Sequence, residues 1–108
     1  MGAEDKVTIS DVAYADIAAD GTLNGAINLT GAGAAPPNAR TGAGDYSVTL
    51  GEAVDELECH IEICGKTAAL SWTVVHTSDT VKQILFLDTA TGAAATNSAF
   101  SITVKRIN

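Results

Sequence analysis

Residues Leu70 to Asp88 read LSWTVVHTSDTVKQILFLD, and this stretch decides the fold class. Apolar and polar side chains alternate on both sides of Thr77-Ser78-Asp79, which is the pattern of two half-buried strands joined by a hairpin loop. The alternation predicts one strand from Ala69 to Thr77 and another from Thr80 to Asp88. The stretch therefore favours antiparallel β structure.

The same alternation recurs along the chain, with no heptad repeat and no convincing amphipathic helix. Further strands are predicted at Lys6–Ser10, Asn24–Thr30, Asp45–Leu50, Glu56–Cys64 and Ala99–Ile107. Asp20-Gly21 signals a turn, and Asp11–Ala19 fits either a helical turn or another strand. The short connection GKT is expected to be a second hairpin loop, which makes the C-terminal half an antiparallel meander. Seven to eight short strands in 108 residues predict an all-β fold, an antiparallel and jelly-roll-like β-sandwich.

Residues 1–108 are expected to form a single domain with one small-residue segment at 31–44. This segment, GAGAAPPNARTGAG, contains Pro36-Pro37 and cannot be a central strand, because proline donates no ladder hydrogen bond. We interpret it as a flexible loop or an extended arm that lies along a neighbouring subunit. Its last glycines precede Asp45 and the strand that follows. They therefore indicate a tight turn rather than a phosphate-binding loop.

Composition excludes several classes of partner. The formal net charge is -7 and the pI is about 4.4, which disfavours nucleic acid and anionic membrane surfaces as partners. No signal peptide is visible, so synthesis in the cytoplasm is expected. Cys59 and Cys64 are five positions apart on one predicted strand, which separates them by roughly 17 Å at about 3.3 Å per residue. The spacing predicts two free thiols on opposite faces.

A metal site is one interpretation of the strand ELECHIEI. Glu58, His60 and Glu62 fall on one of its faces, and carboxylates flanking an imidazole could hold a divalent cation. The alternative is the solvated face of a half-buried strand, which needs no ligand. We favour the solvated face and expect no metal and no cofactor.

Aromatic side chains provide candidates for sugar stacking, namely Trp72, Tyr46 and Tyr14. Trp72 shares a face with Leu70 and Val74, which favours a core role over an exposed platform. No serine lies in a nucleophile elbow, and both cysteines lie within a regular strand. The chain is therefore not expected to be an enzyme.

A subunit interface is predicted where the strand TVKQILFLD becomes apolar on both faces. The four candidate residues are Ile84, Leu85, Phe86 and Leu87. One face can pack on the opposite sheet, and the other then needs a second subunit. Alternatively, the alanine-rich loop of the same chain covers this second face. This pattern favours a homo-oligomer.

From Asn24 to Ile107 the chain resembles small β-sandwich modules of bacteriophage virions. The elements that carry the resemblance are the small-residue run, RTGAGDYSVTL, ELECHIEI, VVHTSDTVKQILFLDTATG and SAFSITVKRI. The resemblance implies a homotrimer that serves as a structural or receptor-contacting part of the particle. Because no fibrous shaft precedes the module, the resemblance favours a capsid decoration or head-fibre protein on the virion surface. The expected partner is the major capsid protein or another virion protein. The alternative is a carbohydrate-binding or receptor-binding module of a phage fibre or bacterial surface protein.

Overall fold

The computed structural model describes residues 7–66, 70–88 and 97–107. These residues form nine strands: β1 (Ile9–Ile17), β2 (Leu23–Ile27), β3 (Leu29–Gly31), β4 (Arg40–Gly42), β5 (Asp45–Leu50), β6 (Cys59–Gly65), β7 (Leu70–His76), β8 (Val81–Asp88) and β9 (Phe100–Ile107). The first sheet has the order β2-β1-β9-β6, and the second has the order β3-β5-β8-β7, with β4 also paired to β5. All of these pairings are antiparallel. The predicted antiparallel all-β sandwich is confirmed.

Nine strands form where seven to eight were predicted, because the predicted strand Asn24–Thr30 divides at Asn28. Asn28 has a φ of 54°, in the left-handed region that asparagine tolerates better than most residues. Its side-chain Nδ2 donates to the carbonyl of Val12 at 3.0 Å. The chain leaves the first sheet after β2 and enters the second at β3. A further short strand, β4, forms within the small-residue segment.

The N-terminal part of the chain is a strand rather than a helical turn. β1 runs from Ile9 to Ile17 and includes most of the Asp11–Ala19 segment, which by its sequence fits either a helical turn or a strand. Lys6, where another strand was predicted to begin, lies outside the described residues. The turn predicted at Asp20-Gly21 is present, with a φ of 91° at Gly21 and a hydrogen bond from Thr22 N to Asp20 Oδ1.

The predicted meander is wrong in most of its pairings: of the consecutive strands from β5 to β9, only β7 and β8 pair, since β5 pairs with β8 and β9 pairs with β1 and β6. β6 and β7 belong to different sheets, so the connection GKT is not a hairpin loop. The hairpin at Thr77-Ser78-Asp79 is confirmed, since β7 and β8 pair directly and the N–H of Thr77 donates to the carbonyl of Val81 at 3.1 Å. The strand predicted at Glu56–Cys64 begins only at Cys59. Residues Glu56–Glu58 form a 3₁₀ turn instead, capped by the carboxylate of Asp55.

The core lies between the two sheets and consists of the inward-facing residues of each alternating strand. Fully buried side chains include Ala15, Ile17, Tyr46, Val48, Ile84, Phe86, Phe100, Ile102 and Val104. The ring of Tyr46 meets those of Phe86 and Phe100 edge-on, with centroid distances of 5.7 and 5.0 Å. Its hydroxyl donates to the carbonyl of Ala19 at 2.6 Å and accepts from the N–H of Ser98 at 3.2 Å. The large apolar side chains thus fill one layer between the sheets.

The small-residue segment 31–44 folds back onto the sandwich as a loop. Ala39 is fully buried, and its N–H donates to the carbonyl of Gly21 at 2.9 Å. Gly33 N donates to the carbonyl of Asn38 at 2.8 Å, which closes the loop on itself. The predicted turn into β5 is present, with a φ of 67° at Gly44. The loop lies at the edge of the second sheet that is opposite to β7.

The described part of the chain contains no helix with the length and hydropathy of a membrane span.

Candidate functional site

The strand β7 forms one edge of the second sheet and carries no carboxylate, lysine or arginine. It pairs with β8 on one side, and no described strand pairs with its other side. The corresponding edge of the first sheet, β6, carries Glu62, which forms an ion pair with Lys105 at 3.1 Å. Edge strands that lack charges expose unpaired N–H and C=O groups to which another chain can pair. β7 is therefore a candidate contact surface.

The outer face beside this edge carries three apolar side chains next to polar ones, since Asp45 on β5 is paired with Leu85 and accepts a hydrogen bond from Gln83 Nε2 at 2.9 Å. Val75 and Leu87 each keep 37% of their surface exposed, and Leu85 is half-buried between them. Leu85 and Leu87 are two residues apart on β8, and Val75 is diagonal to Leu85 because it pairs with Gln83. We call these three residues the outer patch. Together with β7, they form a surface without a carboxylate, lysine or arginine of its own, bordered by Asp45 on β5, on a chain of net charge -7.

Only two of the four residues predicted for a subunit interface face outward. Ile84 and Phe86 are fully buried in the core, where they contact the opposite sheet. Leu85 and Leu87 lie on the outer face, as the strand period requires. The exposure of Leu87 shows that the loop 31–44 does not cover it. Val75, which was not among the predicted interface residues, completes the surface.

Trp72 closes the gap between the two sheets at the β6 and β7 edge. Its ring lies 6.1 Å from that of Phe86, centroid to centroid, and a Cβ added at Gly65 would lie 2.7 Å from Trp72 Cζ3. The side chain remains 40% exposed. Trp72 thus faces the core, as its position between Leu70 and Val74 indicated, while its outer rim stays accessible.

The other two aromatic candidates occupy different environments. Tyr46 is fully buried and cannot stack on a ligand. Tyr14 is half-buried on the outer face of the first sheet, where its hydroxyl donates to Asp16 Oδ1 at 3.1 Å. The carboxylate of Asp16, aided by partial burial, raises the pKa of Tyr14. The structure therefore separates the three rings and does not form one aromatic platform from them.

A polar cluster at the end of the β7–β8 hairpin was missed from the sequence. Lys82 is fully buried, and its Nζ lies 2.6 Å from His76 Nδ1 and donates to the carbonyl of Ser78 at 2.8 Å. The Nε2 atom of His76 lies 3.3 Å from Asp79 Oδ1. The alternation along β8 indicates that Lys82 is buried, because Lys82 lies on the same face of the strand as Ile84 and Phe86.

Cys59 lies on the inner face of β6, close to this cluster. Burial raises the pKa of the Cys59 thiol, and the positive charges of Lys82 and Arg106 only partly oppose this effect. A thiol with a raised pKa is a poor nucleophile at neutral pH. A recess of about 240 Å³ beside it is lined by Glu56, Cys59, Ile61, Val74 and His76. The cluster joins the end of β7, the hairpin loop and the start of β8.

The residues considered for a metal site do not converge. Glu58 belongs to the 3₁₀ turn, whereas His60 and Glu62 project from β6. Glu62 is already paired with Lys105. Within residues 7–66, 70–88 and 97–107, no group of three or more His, Cys, Asp or Glu side chains is placed to hold a metal ion.

The chain matches no protein-family model, and no curated protein or solved structure shows significant similarity to it.

Proposed function

We propose that this protein is a non-enzymatic structural protein of a phage virion, a capsid decoration or head-fibre protein that assembles as a homotrimer. The observation that carries the proposal is the uncharged surface formed by the outer patch and the edge strand β7. Its role is to stabilise or decorate the particle through packing and not through turnover.

Electrostatics supports self-association at this surface. Copies with a net charge of -7 repel each other over most of their surface, so a contact between copies is least unfavourable where carboxylates are few, and Asp45 is the carboxylate that borders this surface. Burial of Val75, Leu85 and Leu87 adds hydrophobic stabilisation of about 25 cal/mol per Å² of apolar surface removed from water. In a trimer, the three outer patches meet around the threefold axis.

The opposite edge of the second sheet remains available for contact with the particle. The loop 31–44 lies there, with Ala34, Ala35, Pro36 and Pro37 exposed. Small side chains let the backbone approach a partner surface closely, and little side-chain entropy is lost on contact. We assign this loop to the contact with the major capsid protein or another virion protein.

Mass spectrometry of density-purified phage particles from the source culture tests the proposal. Peptides of this chain are expected in the particle fraction. Washing the particles in high salt is expected to leave the amount of the chain unchanged. Particles assembled with Leu87→Lys are expected to carry less of the chain, whereas Asn24→Lys, an exposed substitution on β2 of the first sheet, leaves the amount unchanged. Detection of the chain only in the free protein fraction would contradict the proposal.

A further inference from the structure

A row of four directly paired side chains crosses the outer face of the first sheet. Ile27 on β2 pairs with Tyr14 on β1, Tyr14 pairs with Thr103 on β9, and Thr103 pairs with Glu62 on β6. The row therefore spans three strand spacings, or roughly 14 Å at about 4.8 Å each. A groove of about 500 Å³ follows it.

Irregularities in β1 shape this groove. The register of β1 shifts between Asp11 and Ala13 against β9, and again between Tyr14 and Asp16 against β2. Such bulges redirect side chains and are common beside binding sites. As a result the consecutive residues Val12 and Ala13 are both buried, and both line the groove. Asp11 and Ala13, which flank the first shift, and Tyr14, at which the second begins, all line the groove.

One end of the groove is apolar. The side chain of Ile27 is 65% exposed although it lies beside Tyr14. The Tyr14 hydroxyl donates to Asp16, the next outward-facing residue of the same strand, which holds the ring along β1, and Tyr14 lines the groove. A rigid aromatic ring of this kind offers a flat contact at low entropic cost.

The other end of the groove is polar and contains both donors and acceptors. Glu62 and Lys105 form an ion pair at 3.1 Å, and their side chains remain 53% and 31% exposed. Thr103 adds a hydroxyl, and Asp11 adds a second carboxylate. These four groups carry a net charge of -1, which disfavours an anionic ligand.

We propose that this groove binds a short neutral oligosaccharide. The apolar face of one pyranose ring stacks on Tyr14 beside Ile27, and the hydroxyls of the neighbouring sugar bond to Glu62 and Lys105. A peptide strand fits less well, because the groove runs across the strands and the sheet backbone beneath it is already hydrogen-bonded. The groove and the outer patch lie on opposite sheets, so this proposal stands independently of trimer formation.

Saturation-transfer and chemical-shift NMR with cellotriose, chitotriose and maltotriose at millimolar concentration test the proposal. At least one of these sugars is expected to perturb the amides of β1 and β9, with Tyr14 ring protons closest to the ligand. Tyr14→Ala is expected to lose about tenfold in affinity, while Tyr14→Phe stays within a few-fold of the original. Trp72→Phe serves as the control, because Trp72 is an exposed aromatic residue outside the groove, and this variant leaves binding unchanged.

Thermal melting followed by circular dichroism separates a binding defect from misfolding of Tyr14→Ala. A folded Tyr14→Ala protein that binds as tightly as the original would overturn the proposal. Absence of binding by all three sugars, or perturbation of the groove by an unrelated peptide and by none of the sugars, would overturn it as well.

Discussion

The Nζ atom of Lys82, a fully buried residue, lies 2.6 Å from Nδ1 of His76, whose side chain keeps 20% of its surface exposed. An imidazole that carries its proton on Nε2 accepts from Lys82 at Nδ1 and directs that proton towards Asp79 Oδ1, which lies 3.3 Å away. The arrangement orders three polar groups at the tip of the β7–β8 hairpin. It supports the edge strand that we assign to the contact between subunits.

Removing the Lys82 side chain is expected to cost more than replacing it with an apolar one. Lys82→Ala leaves a cavity and removes the donor to His76 and Ser78, with an expected loss of about 2–4 kcal/mol in the free energy of unfolding. Lys82→Met fills the same space without a buried charge, so its loss is expected to be smaller. Urea unfolding measures both. Equal losses for the two variants would show that the ammonium, and not the volume, matters at this position.

Packing of Trp72 on Gly65 predicts a sensitive glycine. Gly65→Ala places a Cβ against the indole and is expected to cost about 1–3 kcal/mol and to push the ring outward. The protein has one tryptophan, so a red shift of the emission maximum reports this movement directly. Gly42→Ala is the control, because nothing lies within 4 Å of its added Cβ. An unchanged emission spectrum in Gly65→Ala would contradict the described contact.

Much of the fold follows from local sequence, since the alternation from Asp45 to Leu50 is bounded by Gly44 and yields a strand with the same limits. The hairpin at Thr77-Ser78-Asp79 follows for the same reason. The pairing of β6 with β9 does not, because nothing local in CHIEICG specifies a partner about 40 positions away. Likewise the change of sheet at Asn28 depends on its bond to Val12, a tertiary contact.

The candidate sites were less accessible to sequence reasoning than the fold. Period-two alternation assigns Leu85 and Leu87 to one face and Ile84 and Phe86 to the other, yet it does not say which face meets the opposite sheet. The groove at Tyr14 depends on two bulges, and bulges leave little trace in the sequence. The outward position of Tyr14 and the burial of Tyr46 are therefore properties of the folded chain that the sequence does not show.

Stability at alkaline pH is expected to depend on Tyr46. Burial raises the pKa of Tyr46, so the folded state holds the phenolic proton more tightly than the unfolded chain does. The resulting stabilisation is fully present below the unfolded pKa of about 10 and is lost as the pH rises through the raised pKa of the folded state. Denaturant unfolding between neutral and strongly alkaline pH measures this loss.

Tyr46→Phe supplies the control for that titration. It is expected to lower stability by about 1–2 kcal/mol at neutral pH through loss of the bonds to Ala19 and Ser98, and to flatten the alkaline decline. An alkaline profile identical in shape to that of the original protein would contradict the assignment to Tyr46.

The two thiols are expected to react at different rates. Cys64 is exposed on the outer face of β6, whereas Cys59 is half-buried and burial raises its pKa. A disulfide reagent at neutral pH should therefore modify one thiol quickly and the other slowly, and the fast phase should disappear in Cys64→Ser. Loss of the slow phase in that variant would contradict the described faces of β6.

The native mass of the protein in solution tests the central claim most directly. Sedimentation equilibrium at micromolar concentration is expected to give the mass of three 11.0 kDa chains for the original protein and for Thr30→Lys. Leu87→Lys places a charge in the outer patch and is expected to give the mass of one chain. A folded original protein that sediments as a single chain, or a Leu87→Lys variant that remains fully trimeric, would contradict the account.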